Sequence, residues 1–438
     1  MKARFLRIYS PHALFGLILL FFFFAPPLFS ETVVDWGGFL QSTSKVTIQP
    51  EYEFDQAVQT GLWLNTDFSD NFGLYARGFY IYNEERPYFA DIENLFARGS
   101  SLLGTEGEEY LLRYSLGRFR FSEFTGYVLN HNLDGFQLNF QLPALSLEAS
   151  AGYTGLTFVP SSSILVTQSD YDLQENVAEH GYELSPPKLI ETLKMTIPAI
   201  ALQQELILNV VLQQDLQPEE NFTNPDDRIH SEHIGFGLRG GLVPSLYQNL
   251  FLYLNRGHGK YATAALLFGG GLSYYNQDFL FTRVQIRGLY SSGDNDLNFF
   301  YGGYGGSGIS SHFVTLSASP LFGIVFSPQI GNMSFGEISF SMRPFSKTNS
   351  RILEKFQTTL AALTFFRNTG GAISEAGIDL TSDESYLGSE IDLSLQFRPL
   401  SDVGITLAGG LFLPNERVFM EAYDNIQSVI RLDASFRF

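Results

Sequence analysis

Two segments of the chain carry charged and amide side chains at every second position, with mostly apolar residues between them. The polar positions are Arg283, Gln285 and Arg287 in residues 279–290, and Glu390, Asp392, Gln396 and Arg398 in residues 388–398. Side chains of these types hold water and attract or repel charged solutes, and their spacing brings no acid, base and nucleophile together. The chemistry they indicate is electrostatic selection of solutes in a water-filled passage.

A two-residue period requires β-strands to position these side chains, because successive strand residues point to opposite faces. The last ten residues, 429–438, show the same period. Their apolar positions are Ile430, Leu432, Ala434, Phe436 and Phe438. One apolar face and one polar face predict a strand of a transmembrane barrel, although a soluble edge strand would show the same alternation.

The carboxy-terminal residue is aromatic. A terminal strand of this kind resembles those of bacterial outer-membrane barrels, in which the barrel assembly machinery reads the end of the chain. The resemblance implies that Phe436 and Phe438 act as the insertion signal.

The amino terminus predicts export. Three basic residues, Lys2, Arg4 and Arg7, precede an apolar core at 13–24, and a breaker stretch APPLFS follows at 25–30. This layout is typical of a secretory signal peptide over residues 1–30 that is removed by cleavage near Ser30. A retained amino-terminal anchor is the alternative.

Composition excludes several classes of protein. The formal net charge is −19, and residues 1–30 contain no acidic residue, so the mature chain is more acidic still and unsuited to nucleic acid. After the signal there is no apolar run of the ~18 residues that a membrane helix needs, so any membrane passage uses strands. The chain has no Cys, which excludes disulfides and thiolate chemistry.

Residues 31–438 therefore predict an all-β protein, a transmembrane antiparallel up-and-down β-barrel. Nineteen candidate strands can be found, but a bacterial single-chain barrel needs an even number. The weakest candidate is 311–328, which Pro320 and Pro328 interrupt. Without it the prediction is about eighteen strands, with sixteen and twenty as alternatives.

The predicted connections fall into two lengths, as expected for a barrel with short periplasmic turns and longer outer loops. The short ones are residues 69–71, 142–144, 198–200, 276–278 and 399–402. The long ones are residues 158–187, 214–230, 292–310, 367–387 and 414–424, and most carry an acidic excess.

The strand phases predict which side chains line the lumen. The candidates are Arg77, Arg113, Arg118, Arg239, Arg283, Gln285, Arg287, Glu390, Asp392, Gln396 and Arg398. An inward loop at 119–131, with Arg118 at its start, would narrow the passage with Arg120 and three Phe residues. The alternative for each charge, taken singly, is that it only pairs across strands and holds water.

Two motifs resemble a known family. Residues 387–393 (LGSEIDL), followed by Arg398 and then by 407–414 (LAGGLFLP), resemble the penultimate hairpin of the alginate-export porin family. Gly117-Arg118 with Asp134-Gly135 is similar to the strand, inward loop and returning strand seen there and in several other porins. The resemblance implies an eighteen-stranded channel. That family uses an arginine-rich constriction for a uronate polymer, from which this chain departs in its acidic loops and mixed wall.

Patterns for other chemistry are weak. His230 and His233 are the only close His pair, and three residues apart on a strand they point to opposite faces, which disfavours a metal site. Residues 303–308 (GYGGSG) match a dinucleotide glycine pattern but lack the following helix that would hold phosphate. No G-x-S-x-G motif is present. We predict no enzymatic activity and no cofactor.

The predicted function is a porin in the outer membrane of a diderm bacterium that passes small hydrophilic solutes, anionic or saccharide-like ones included. The predicted partners are these solutes, outer-membrane lipid and lipopolysaccharide, and the barrel assembly machinery, with no nucleic acid. The alternative is a surface-exposed barrel that acts as an adhesin or structural protein, displaying the acidic loops.

Overall fold

The fold was analysed in a computed structural model of the chain. It describes residues 32–49, 52–83, 88–104, 110–176, 182–200, 203–218, 228–258, 262–295, 300, 309–317 and 322–438. The predicted signal peptide (1–30) and the glycine pattern at 303–308 lie outside these ranges.

The chain forms a closed antiparallel barrel of eighteen strands, as predicted. The strands are β1 Val33–Ile48, β2 Tyr52–Ser69, β3 Phe72–Tyr82, β4 Phe89–Leu103, β5 Tyr110–Ser122, β6 Asn130–Gln141, β7 Ser146–Tyr153, β8 Lys188–Ile197, β9 Gln204–Asp215, β10 His230–Val243, β11 Leu246–His258, β12 Ala262–Asn276, β13 Thr282–Ser291, β14 Met333–Met342, β15 Phe356–Arg367, β16 Tyr386–Phe397, β17 Val403–Pro414 and β18 Gln427–Arg437. Each strand pairs with its sequence neighbours, and β18 pairs with β1 to close the wall.

The closing pair places the carboxy terminus against the first strand. Arg431 lies opposite Lys45, and Asp433 lies opposite Thr43. Beyond the last strand residue, Phe438 exchanges two backbone hydrogen bonds with Gly38, at 2.9 and 3.1 Å. The alternation predicted for residues 429–438 therefore continues to the end of the chain.

The described residues of the segment 311–328, which are 311–317 and 322–328, form no strand of the wall. Only the two residues before it, Ile309–Ser310, form a short strand, which pairs in parallel with the start of β12. The described parts of the segment instead pack against side chains of the wall. Omitting this segment from the strand count was therefore correct.

The connections alternate between the two ends of the barrel. The turn end holds both described termini and the predicted short turns, and the loop end holds the long connections. The long connection after β7 contains a 3-10 turn, Val159–Ser161, and one helix, α1 Gln168–Glu175. Three exceptions are the three-residue connections after β1 and after β11, both at the loop end, and residues 343–355, at the turn end.

The outer face is apolar. On β16, Ile391 and Leu393 point outward and are 51% and 44% exposed, while Glu390 and Asp392 point inward. Gly117 marks a close approach of two strands, with a φ of 124° and space for a Cβ only 2.2 Å from the carbonyl oxygen of Leu95. A side chain there would push β4 and β5 apart. No helix in the described ranges is long and apolar enough to span a membrane.

The buried apolar core lies inside the barrel, in the half nearest the loop end. It joins inward side chains of the wall to residues of six connections, those after β5, β7, β9, β13, β15 and β17. Phe121, Tyr253 and Phe412 represent the wall, and Val128 and Phe326 represent the connections. The half of the interior nearest the loop end is therefore filled with packed side chains.

Candidate channel and its inward-packed connections

The half of the interior nearest the turn end is lined by polar side chains. Because cross-strand partners share a face, the register can be followed around the whole wall. It places on the inner face the predicted residues Arg77, Arg113, Arg239, Arg283, Gln285, Arg287, Glu390, Asp392 and Gln396. Nine of the eleven predicted side chains thus point inward.

The inward arginines of β13 have different partners. Arg287 forms an ion pair with Glu337 on β14. Arg283 has neutral partners instead: its Nη2 atom donates to Gln285 at 3.0 Å, and its guanidinium lies 5.3 Å from the ring centre of Tyr275. The positive charge of Arg283 is therefore not compensated by a carboxylate in these contacts.

Other inward arginines are also held by the wall. Arg239 lies 2.6 Å from a carboxylate oxygen of Glu205 on β9. Arg77 pairs with Glu93 at 2.8 Å, and its guanidinium lies 4.4 Å from the ring centre of Phe39. These contacts fix the side chains, so the charges are held in place rather than free to fold away.

One part of the inner wall holds two neighbouring ion pairs that remain exposed. It is formed by β18, β1 and β2, and we call it the open sector. Lys45 and Asp55 lie 3.9 Å apart with 42% and 50% of their side chains exposed, and Arg431 and Asp433 lie 3.0 Å apart with 32% and 33% exposed. Since these side chains point inward and remain accessible, they face an internal space that water can occupy.

The opposite part of the inner wall, from β5 to β17 at the loop end, is covered by connections, and we call it the packed sector. Glu123 organises the first of these connections. Its buried carboxylate accepts hydrogen bonds from Thr125 and from the Val128 backbone, and from the hydroxyl of Tyr253 on β11. The connection 123–129 is thereby tied to the far side of the wall.

Residues 322–328 form the second inward connection, which we call the inner segment. The ring of Phe326 stacks on Phe412 with centroids 4.4 Å apart, and Phe322 lies 4.4 Å from Phe335. Its backbone amides at 325 and 326 donate to Glu390, each at 2.8 Å. The inner segment therefore lies flat on β14 to β17.

This packing changes the environment expected for two predicted pore-lining residues. Glu390 is fully buried and Asp392 is 8% exposed, because the inner segment covers both. They point inward as predicted, but they bind protein rather than lining open water. The strand period reveals the direction of a side chain and cannot show that a connection will return to cover it.

Histidines secure the part of the chain that precedes the inner segment. His233 on β10 lies 2.8 Å from the carbonyl oxygen of Val314 and 3.0 Å from the amide of Asn255. His312 packs edge-on against Phe300, and burial lowers the pKa of His312 to about 4, so it is neutral at pH 7. His233 therefore acts here as a hydrogen-bonding group, and the ring of His312 acts as a packing group.

A buried ion pair anchors the connection after β7. Lys188 and Asp170 lie 2.5 Å apart, and each is 1% exposed. Asp170 also accepts from the backbone of Val166 and of Thr167, the residue that caps α1. One carboxylate thus holds both the start of the helix and its attachment to β8.

The placement of Arg118 corrects the prediction. The connection begins only at residue 123, and Phe119 and Phe121 occupy the inner face of β5, which turns Arg118 and Arg120 to the outer face. Arg118 binds Asp134 directly across the β5–β6 pair, with 2.8 Å between Nη2 and Oδ2. The aromatic side chains pack into the core and so fix the strand phase.

Arg398 also differs from the prediction, because β16 ends at Phe397 and Arg398 lies just beyond it at the turn end. Gln396 lies inward in register with Gln357 and Thr406, and Arg113 lies inward in register with Ser100 and Asn139. Sequence reasoning missed Glu123 and His233 as anchors. The sequence contains little indication of this role, because a Glu or a His at these positions could equally be a solvent-exposed side chain.

Comparison with solved structures agrees with this architecture. Pseudomonas aeruginosa OccK3 (OpdO) matches with a TM-score of 0.57 and 13% identity over 92% of this chain and 96% of that chain. OccK11 (OpdR) of the same organism gives 0.56 and 12% over 92% and 96%. OpdK crystallised with vanillate gives 0.55 and 11% over 92% and 98%.

These similarities define the fold of the chain as that of the outer-membrane porins. No protein-family model matches the sequence, and no curated protein is similar to it in sequence. The Occ and Opd proteins are also a different family from the alginate-export porins that the sequence motifs resemble.

Proposed function

We propose that the protein is a channel of the bacterial outer membrane for small hydrophilic solutes. The observation that carries the proposal is the open sector, in which inward ion pairs such as Lys45–Asp55 keep 42% and 50% of their side chains exposed inside a closed wall. Buried charges of this kind would be costly without water. A water-filled path along β18, β1 and β2 accounts for their exposure.

The orientation follows from the lengths of the connections. In outer-membrane barrels the short turns face the periplasm and the longer loops face outward. The turn end of this barrel would then lie in the periplasm, and the acidic long connections would meet solutes first. The polar ring at the turn end would be the inner mouth.

The charges of the path favour small polar solutes, with a preference for anions. Most inward cations are paired, as Arg239 is with Glu205, and so contribute little net field. Arg283 has neutral partners and adds a local positive potential at the inner mouth. Fixed charges of one sign raise the local concentration of the opposite ion.

The solute class can be narrowed by comparison. OpdK was crystallised with vanillate, which suggests small carboxylates as solutes to test here. The resemblance to the alginate-export family would instead suggest a uronate polymer. A basic constriction for such a polymer would need unpaired arginines. Arg287 on β13 and Arg239 on β10 are both paired with carboxylates. We therefore favour small solutes, and we infer a role without enzymatic chemistry.

The carboxy terminus supports assembly in this membrane. Phe436 and Phe438 are 45% and 61% exposed, and their rings stack at 6.0 Å. An exposed aromatic end beside the closing strand pair is available to the barrel assembly machinery, with lipid and lipopolysaccharide as later neighbours. Heat-modifiable protein in the outer membrane should decrease when Phe438 is deleted.

Planar bilayer recording tests the proposed function. Refolded protein should give discrete conductance steps. A gradient of a small carboxylate salt across the bilayer should give a reversal potential that shows permeation of the carboxylate. A folded barrel, verified by heat modifiability, that gives no steps would contradict the channel. The adhesin or structural role, which the acidic long connections favour, would then be the better explanation.

A further inference from the structure

Two neighbouring carboxylates hold three consecutive backbone amides of the inner segment. Asp392 accepts from the amide of residue 324 at 3.2 Å, and Glu390 accepts from those of Val325 and Phe326, each at 2.8 Å. Among the described residues neither carboxylate makes an ion pair. Their hydrogen-bond donors in these contacts are the amides of the inner segment.

Glycines on both sides permit this close approach. A Cβ on Gly323 would lie 2.5 Å from the Glu390 carboxylate, and one on Gly410 would lie 3.1 Å from the Cβ of Ile324. The side chains of Ile324 and Val325 are only half-buried, so they form part of the boundary of the remaining internal space. Moving the inner segment would therefore enlarge that space.

The attachment is reversible in principle. The inner segment forms no strand with the wall, and its backbone amides are held by hydrogen bonds to the side-chain carboxyl groups of Glu390 and Asp392. If the segment leaves, the two carboxylates face the lumen and can be hydrated. The polar groups are then satisfied in both states, and the balance depends on the two acids together with the burial of Phe322 and Phe326.

We propose that Glu390 and Asp392 form a latch that keeps residues 322–328 in the lumen, and that release of this latch widens the channel. The inference rests on the proposed channel function. The two acids of the sequence motif LGSEIDL would then have a gating role. The inner segment would be the element that moves, inside a barrel wall that stays rigid.

Single-channel recording of Glu390→Gln combined with Asp392→Ala tests the latch. Because carboxyl oxygens that accept from the segment are lost, the ratio of wide to narrow dwell times should rise about tenfold. Glu205→Gln is the matched control, since it also removes an inward carboxylate but one that binds Arg239 near the turn end. If the double variant does not assemble, Glu390→Gln alone should show the same direction.

A disulfide distinguishes loop release from a change of lumen charge. Ile324→Cys with Gly410→Cys, placed in the latch variant, would bring together Cβ atoms that lie 3.1 Å apart. Natural disulfides have ~3.5–4.5 Å between these atoms, so the inner segment must shift by a few tenths of an ångström. A Cβ on Gly410 would also lie 2.5 Å from Asp392 and 2.8 Å from Val325, so the variant carries Asp392→Ala and Val325→Ala as well. Oxidation should restore the narrow state, and reduction should return the wide one.

The outcomes separate the two proposals. A wild-type channel that conducts, with unchanged dwell times in the latch variant, would overturn the latch and leave the channel intact. Wide openings that persist after oxidation would show that the inner segment is not the moving part. A folded wild type without conductance would overturn the channel and the latch together.

Discussion

The open sector and the packed sector share one wall and one strand period, yet they differ in what covers their inner face. In the open sector Arg431 and Asp433 pair with each other and stay about one-third exposed. In the packed sector Glu390 is fully buried beneath backbone amides. An inward charge can thus serve the solute path or hold a connection, depending on whether a connection returns to it.

The largest effect is expected at the buried ion pair of the packed sector. Lys188→Met would leave Asp170 buried without its cation, a cost of about 3–5 kcal/mol. The connection after β7 should therefore become sensitive to protease while the barrel stays heat-modifiable. Lys194→Met, which breaks a pair with Glu148 that is 24% and 16% exposed, is the control and should have little effect. Equal cleavage of both variants would argue against the sector's rigidity.

Aromatic packing should give the next largest effect. Phe326→Ala removes a buried ring that contacts Phe412 and Phe365, and such a truncation costs about 3 kcal/mol or more. The inner segment should loosen, and channel noise should increase. Phe340→Ala, on the outer face of β14 and 38% exposed, is the control. Quiet recordings from Phe326→Ala would mean that the ring does not hold the segment.

Acid should weaken the packed sector through His312, whose pKa burial lowers to about 4. A free His titrates near 6.5, so the stabilising contribution of neutral His312 is complete above about pH 6.5 and is lost as the pH falls towards 4. Hydrogen exchange of residues 311–317 should rise between pH 6.5 and 5. His312→Gln should remove part of this pH dependence, whereas His258→Gln should preserve it.

The smallest effect is expected from charge substitutions, which should change ion selectivity more in the open sector than beside the packed sector. Lys45→Gln with Arg431→Gln should lower the anion-to-cation permeability ratio, by less than tenfold because exposed charges are screened within about 8–10 Å at physiological salt. All three cations are paired, but Arg287→Gln leaves a carboxylate, Glu337, whose side chain is only 7% exposed, against 50% for Asp55 and 33% for Asp433, so it should shift the ratio less. Reversal potentials in a salt gradient measure both. A larger shift from Arg287→Gln would place selectivity beside the packed sector.

Much of the wall could be predicted from the sequence because its period is local. The alternation in residues 388–398 gives the inward direction of Asp392 and Gln396, and the two prolines mark 311–328 as outside the wall. The sequence motifs Gly117-Arg118 and Asp134-Gly135 lie opposite each other on β5 and β6, so Arg118 and Asp134 are cross-strand partners. Their register could have suggested the contact.

The packing of the connections could not be predicted in the same way. Burial of Glu123, Lys188 and Glu390 depends on long-range contacts between segments far apart in sequence. The sequence predicts a lumenal Arg118 because it favours an inward loop from 119, whereas the strand continues to Ser122. A two-residue period shows neither where a strand stops nor what later lies on it.

Thiol labelling tests the division of the lumen most directly, because the chain has no native Cys. Cys would replace Thr43 in the open sector, Leu363 in the packed sector and Leu393 on the outer face, one at a time. The hydroxyl of Thr43 donates a hydrogen bond to Asp433 on the inner face of the open sector. Leu363 is 3% exposed on the inner face, and Leu393 is 44% exposed on the outer face. With a water-soluble reagent on membrane-inserted protein, only Thr43→Cys should react quickly. Labelling of Leu363→Cys as fast as Thr43→Cys would contradict the account.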